Sequence, residues 1–248
     1  MMKHTRLYCI GLLTIVAALG YAGPMFAAPA RPAAADTFEV SGIKAVRPTL
    51  VNTIACLKKG DVAGAKAAFE QYDSAWNGIE VYINTRDKSM YGDLEQNWQA
   101  KITKELNAPN PDTAGALADA QMMLARFDEA IAMVEKAQPL NPLYDDVARL
   151  RIVRVPLREV TIALKAGDFA KARTSYAAFD DKWDSIEDLI KARSADSYTE
   201  IEKAMIQIES ALKPDKPDVD QVTTLVKGVM DKYNAVVGDI TKDARAHQ

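Results

Sequence analysis

DSAWNGIEVYINTRDKSMYGDLE, residues 73–95, returns 107 positions later as DDKWDSIEDLIKARSADSYTEIE, residues 180–202. Asp73, Trp76, Ile79, Glu80, Ile83, Arg86, Tyr91 and Glu95 recur as Asp180, Trp183, Ile186, Glu187, Ile190, Arg193, Tyr198 and Glu202. Between Val46 to Glu95 and Val153 to Glu202, 17 of 50 ungapped positions are identical, and the identities fall on charged and aromatic residues as much as on apolar ones. A shared core pattern alone would keep only the apolar positions, so the chain reads as one unit written twice.

Outward from that stretch, Val62, Ala65, Phe69, Tyr72, Trp76, Ile79 and Ile83 are spaced by three and four along one stripe, which predicts a helix over 61–86. A helix over 43–58 precedes it and ends at Lys58-Lys59-Gly60-Asp61. There Gly60 can take the left-handed conformation that closes a helix, and Asp61 can cap the next one. The polar turn Asp87-Lys88-Ser89 leads to a third helix reaching about Leu106. Asn107-Ala108-Pro109-Asn110-Pro111-Asp112 then breaks the chain, and Asp112 or Thr113 caps a fourth helix ending near Lys136. The second half repeats this plan, with Ala166-Gly167-Asp168 at the first turn and Lys213-Pro214-Asp215-Lys216-Pro217-Asp218 at the proline loop, where it is one residue shorter.

No stretch alternates with period two, and short loops between consecutive helices make them antiparallel neighbours. The expectation is an all-α protein of two tandem, homologous four-helix up-and-down bundles, residues 36–137 and 144–248, joined by a proline-containing linker at 138–143. Arg126 to Ile131 followed by Asn141-Pro142 resembles part of a tetratricopeptide repeat. Those repeats recur about every 34 residues, whereas the period here is 107.

Lys3 and Arg6 followed by the uncharged, largely apolar run from Leu7 to Ala22 read as a secretory signal, with small residues up to Ala35 supplying the cleavage region. The run is shorter than the roughly 20 residues a membrane span needs. Residues 1–35 are therefore assigned to export and processing, and a periplasmic or secreted location is expected, with no transmembrane segment in the mature chain. Removing them takes away Lys3, Arg6 and Arg31 and leaves 28 basic side chains against 34 acidic, a formal charge of −6. A chain this acidic is a poor nucleic-acid binder. Cys56 is then the only cysteine, so no intramolecular disulfide can form and apolar burial must hold the fold.

The absences narrow the chemistry. No C-x-x-C-H motif and no helical histidine is present to ligate haem, and no Glu-x-x-His pair is present to build a carboxylate-bridged di-iron centre. Zinc sites draw on Cys and His, and a Ser-His or Cys-His nucleophile needs a histidine inside the domain. The mature chain keeps only His247, next to the C-terminus. The chain is expected not to be an enzyme.

What remains is the duplicated polar set. Asp73, Trp76 and Glu80 share one helix face, and Tyr91 and Glu95 lie one turn apart on the next helix. Glu80 and Glu95 are equally far from the intervening turn, about 11 Å each at 1.5 Å per residue, so they should sit side by side. Glu187 and Glu202 are placed in the same way, flanked by Asp180 and Tyr198. Such oxygen-rich pairs suit a hard cation such as iron, manganese or calcium. Without a cation two carboxylates repel, so the arrangement calls for a partner. An arginine supplies the alternative: Arg86 or Arg193 bridging the glutamates as a satisfied core network. Trp76 and Trp183 lie on apolar stripes and read as core anchors.

The pattern D-x-x-W-x-x-I-E followed by Y-x-x-[LI]-E, clearest in FDDKWDSIEDLIKARSADSYTEIEKAM at 179–205, resembles the extracytoplasmic helical domain associated with some bacterial high-affinity iron permeases. The resemblance covers the second and third helices of each half and implies a periplasmic role near iron or another metal, with a membrane transporter as partner. The resulting expectation is an exported, non-enzymatic binding or accessory protein with carboxylate-rich metal sites. The competing reading is a structural or protein-interaction module without a metal site.

Overall fold

Each half turns its first corner with the same device. Gly60 and Gly167 adopt φ of 72° and 73°, the left-handed region that a side chain would strain, and the following aspartate caps the next helix. Asp61 accepts a hydrogen bond from Gly64 N at 2.8 Å and Asp168 from Lys171 N at 2.9 Å. Asp112 and Asp218 cap the last helix of each half in the same manner, at 2.9 and 3.0 Å.

The computed structural model describes residues 36–248, so the export signal read in residues 1–35 lies outside the described residues. The elements are α1 (Phe38–Lys58), α2 (Val62–Arg86), α3 (Lys88–Gly92), a π-helical stretch (Asp93–Gln99), α4 (Ala100–Leu106) and α5 (Thr113–Lys136) in the first half. In the second they are α6 (Leu143–Lys165), α7 (Phe169–Trp183), α8 (Glu187–Arg193), α9 (Ala195–Leu212) and α10 (Val219–Ala246). The fold is an all-α helical bundle, with no strand among the described residues. None of the described helices is long and apolar enough to cross a membrane. In the first half α1 packs along α2 and α5, and α5 returns along the π-helical stretch and α4. In the second, α6 packs along α7 and α10, and α10 returns along α9.

The two halves share one core. α2 packs along α6 as well as α1, one cluster of buried apolar side chains runs through both halves, and Asp36–Gln248 forms one compact unit. The linker at 138–143 therefore joins parts of one body. Gly78 permits the close approach: a Cβ there would fall 2.3 Å from Ile152 Cγ1 and 3.2 Å from the Ala148 carbonyl oxygen. Val81 and Tyr82 are buried on that face, and the Tyr82 hydroxyl donates to Asp145 Oδ1 at 3.0 Å. The corresponding Ser185 and Asp188 are exposed, so α2 buries two faces while its counterpart buries one.

Two expectations need correction. The helix expected to run on through Glu187 stops at Trp183 and restarts as α8, because the intervening residues satisfy their backbone locally. Ser185 N and Oγ both donate to the Lys182 carbonyl, at 3.1 and 2.6 Å, and Ile186 N donates to the Trp183 carbonyl at 2.9 Å. The one-residue difference between the halves does not lie in the proline loop either; both loops are six residues long. It lies in the π-helical stretch, whose wider turn absorbs one residue. Beyond that stretch buried positions correspond at an offset of 106: Ile102 with Ile208, Leu106 with Leu212, Phe127 with Tyr233 and Val134 with Ile240.

Candidate functional site

Trp76 sits at the centre of the first-half site, 1 % exposed, because the apolar stripe of α2 turns it inward. Its ring stacks between Tyr72 and Tyr91, with centroids 5.8 and 6.2 Å away. Its indole Nε1 donates to Glu95 Oε2 across the helix pair. The second half repeats the motif: Trp183 Nε1 donates to Glu202 Oε1, and the ring stacks on Tyr198 with a centroid separation of 6.4 Å. This interhelical tryptophan–glutamate bond is the common geometry of the duplicated set.

Glu95 comes close enough for its charge to act on Glu80, in keeping with their symmetric placement about the turn, but Glu80 has a cationic partner. Arg151 of α6 donates to it through Nη1. Arg86 is not that partner. It forms a two-pronged ion pair with Glu39 of α1, at 2.8 and 3.1 Å, and donates to the carbonyl oxygens of Gln138 and Tyr82. The alternative of an Arg86 bridge is therefore replaced by an arginine from the other half of the chain. Arg193 likewise turns away, to Asp243 of α10 at 2.5 Å. Asp73 accepts from Gln99 Nε2 at 2.5 Å. The π-helical stretch turns Gln99 inward, to 7 % exposure, whereas Ile206, its counterpart 107 positions on in the regular helix α9, is 68 % exposed.

Burial raises the Glu80 carboxyl above its ordinary range against the pull of Arg151, with Glu95 adding to the rise. Glu95 is raised by burial, partly offset by the Trp76 hydrogen bond. Burial, and then the two glutamates, raise Tyr91, and the wholly buried Tyr72 hydroxyl lies well above its usual value. In the second half Asp180 is raised by desolvation and then by the neighbouring Glu209, Asp181 and Asp184, while Tyr198 is raised by desolvation and then by its hydrogen bond with Glu187. Glu187, Glu202 and Asp180 form no ion pair among the described residues. Among those residues no group of three or more His, Cys, Asp or Glu side chains is disposed to hold a metal ion.

A raised Glu95 pKa means that the folded state holds the proton more tightly than the unfolded chain does. Ionised Glu95 therefore costs stability at neutral pH, and the cost fades as pH falls towards the folded value. Glu95→Gln keeps an acceptor for Trp76, so its stability relative to the wild type should fall between pH 7 and pH 5. Urea denaturation at the two values reads this, and the opposite slope would show that the ionised carboxylate is the favoured form.

The sequence reading missed Arg151 and Arg158, which reach from α6 to α2, and Arg154, which reaches Asn234 of α10. Arg158 Nη1 donates to Asn77 Oδ1 at 3.1 Å. Their spacing of three and four residues was visible and places them on one helix face. Nothing in the spacing indicated which helix that face would meet. No family model, curated protein or solved structure matches this chain.

Proposed function

We propose that this chain is an exported, non-enzymatic helical-bundle binding or accessory protein in which the duplicated Asp, Trp, Glu and Tyr set fastens helices together. The observation that carries the reading is the capture of the carboxylates by protein donors: Arg151 on Glu80, Trp76 on Glu95 and Trp183 on Glu202. Oxygens engaged in this way are poorly placed to surround a hard cation, which requires about six to eight oxygen ligands in the case of calcium. The export and the non-catalytic character rest on the signal-like residues 1–35 and on the near-absence of histidine and cysteine.

The test is thermal unfolding of the mature protein with manganese, calcium or ferrous chloride, alongside Glu80→Gln. The proposal expects no metal-dependent rise in melting temperature. It also expects a loss of about 1–3 kcal/mol for Glu80→Gln, since Arg151 would keep its charge without a charged acceptor. A metal-dependent rise that Glu80→Gln with Glu95→Gln removes would overturn it.

One observation favours a second reading. Glu187 and Glu202 have no arginine between them, so the second half keeps the oxygen-rich pair that the iron-permease resemblance associates with metal uptake and a transporter partner. On that reading one ion binds per chain and Glu187→Gln with Glu202→Gln abolishes it, whereas Glu80→Gln with Glu95→Gln does not.

A further inference from the structure

The two halves treat the same pair of cations differently. In the first half Lys44 and Arg47 of α1 are neutralised by α5: Lys44 lies 2.8 Å from Glu135, and Arg47 makes a two-pronged pair with Asp128 at 2.6 and 2.9 Å. Their counterparts 107 positions on are Arg151 and Arg154 of α6. The counterparts of Asp128 and Glu135, at the offset of 106 that holds beyond the π-helical stretch, are Asn234 and Thr241 of α10. Arg154 does bond to Asn234 Oδ1, so the geometry of the Arg47–Asp128 contact persists while its charge compensation is gone.

The uncompensated charge lines open space. Two clefts, one of about 470 Å³ between α2, α6 and α10 and one of about 410 Å³ between α6 and α10, share Arg151, Thr241 and Arg245 as walls. Lys88 lines the first, Arg154 and Lys242 the second, and no aspartate or glutamate lines either. Among the described residues only Arg151 of these five cations has a carboxylate partner, Glu80, which fixes its guanidinium in place. The Nε atoms of both Arg151 and Arg154 are buried without a hydrogen-bond acceptor. Burial, and then the neighbouring Arg151, disfavour the charge on Arg154. Five cations with a single carboxylate partner among them, in a chain of formal net charge −3, do not follow from composition. Like charges held together call for an anion, as the glutamates call for a cation.

We propose that the second of these clefts, the basic one between α6 and α10, binds one small oxyanion carrying at least two negative charges, of the phosphate or polycarboxylate class. Planar guanidinium forks at 151, 154 and 245 match the paired oxygens of either group, and Thr241 and Asn234 supply neutral hydrogen-bonding groups beside them. The site stands apart from the duplicated carboxylate set, and chloride salts in the metal titration keep the two tests separate.

Calorimetric titration of the mature protein with sodium phosphate and with sodium citrate, against sodium chloride at equal ionic strength, tests the proposal. One site per chain for either anion, with affinity falling as salt is added, supports it, and the tighter of the two identifies the class. Asn234→Asp with Thr241→Glu recreates the acids of the first half, so it should weaken binding at least tenfold and leave the helical circular dichroism intact. The exposed Arg245→Gln should weaken it at least threefold without touching the core. The proposal is overturned if neither anion binds beyond the chloride control, or if both variants bind as the wild type does.

Discussion

Trp76→Ala should lower the free energy of unfolding by about 3–5 kcal/mol, the range for removing a large aromatic from a core that cannot collapse around the void. The ring is wedged between Tyr72 and Tyr91 on its faces, with Phe127 tilted against it at 6.5 Å, so three aromatic side chains would lose a neighbour at once. The change also removes the donor to Glu95, leaving a half-buried carboxylate to find water or to bind a proton. Trp76→Phe separates the two effects, because it restores most of the volume but not the indole N–H. Its cost should be about 1–2 kcal/mol, the worth of a hydrogen bond to a charged group plus a small packing defect. Trp183→Ala should fall at the lower end of the larger range, since Trp183 closes α7 beside the break at Asp184–Ile186, where the backbone has more freedom to relax. Urea denaturation reads all three, and a loss below about 1 kcal/mol for Trp76→Ala would show that the aromatic stack does not support the fold.

Arg86→Ala should cost about 3–5 kcal/mol, because it leaves Glu39 charged and buried without its counter-ion. The side chains of the pair are 9 % and 5 % exposed, and the guanidinium also reaches the carbonyl oxygen of Gln138 at 2.9 Å. Arg86 therefore ties the end of α2 to the start of α1 and to the linker between the halves. Glu39→Gln with Arg86→Met should recover much of the loss, since a neutral pair carries no unpaired charge. The counterpart Arg193 supplies an internal control. Its pair with Asp243 is 31 % and 43 % exposed, so Arg193→Ala should cost only about 0–1 kcal/mol. If Arg86→Ala costs no more than Arg193→Ala in the same denaturation experiment, burial of the Glu39 pair is not what stabilises this corner.

Together with the pH dependence of Glu95→Gln, these substitutions probe contacts that the sequence reading located to different degrees. The all-helical class, the glycine–aspartate corners at Gly60 and Gly167, the caps at Asp112 and Asp218 and the burial of Trp76 and Trp183 were legible in the sequence. Each depends on residues within one or two helical turns: a left-handed glycine, a side-chain oxygen three residues ahead of an N–H, a stripe of period three to four. The nearness of Glu80 and Glu95 was legible for the same reason, since a short turn leaves antiparallel helices little choice of register.

The partners of those residues were decided only by tertiary structure. Arg86 and Glu39 are 47 positions apart, and Arg151 and Glu80 are 71 apart. A repeated sequence made the Arg86–Glu80 bridge look as plausible as either, because both halves carry it. The π-helical turn and the break before Glu187 also escaped, being small departures within stretches whose apolar pattern still reads as helix. Periodicity states which face of a helix is buried, but not which neighbour covers it. Here a single glycine, Gly78, lets α6 close onto α2, and the same packing set Arg151 against Glu80 while Arg154, without an acid, meets Asn234 of α10.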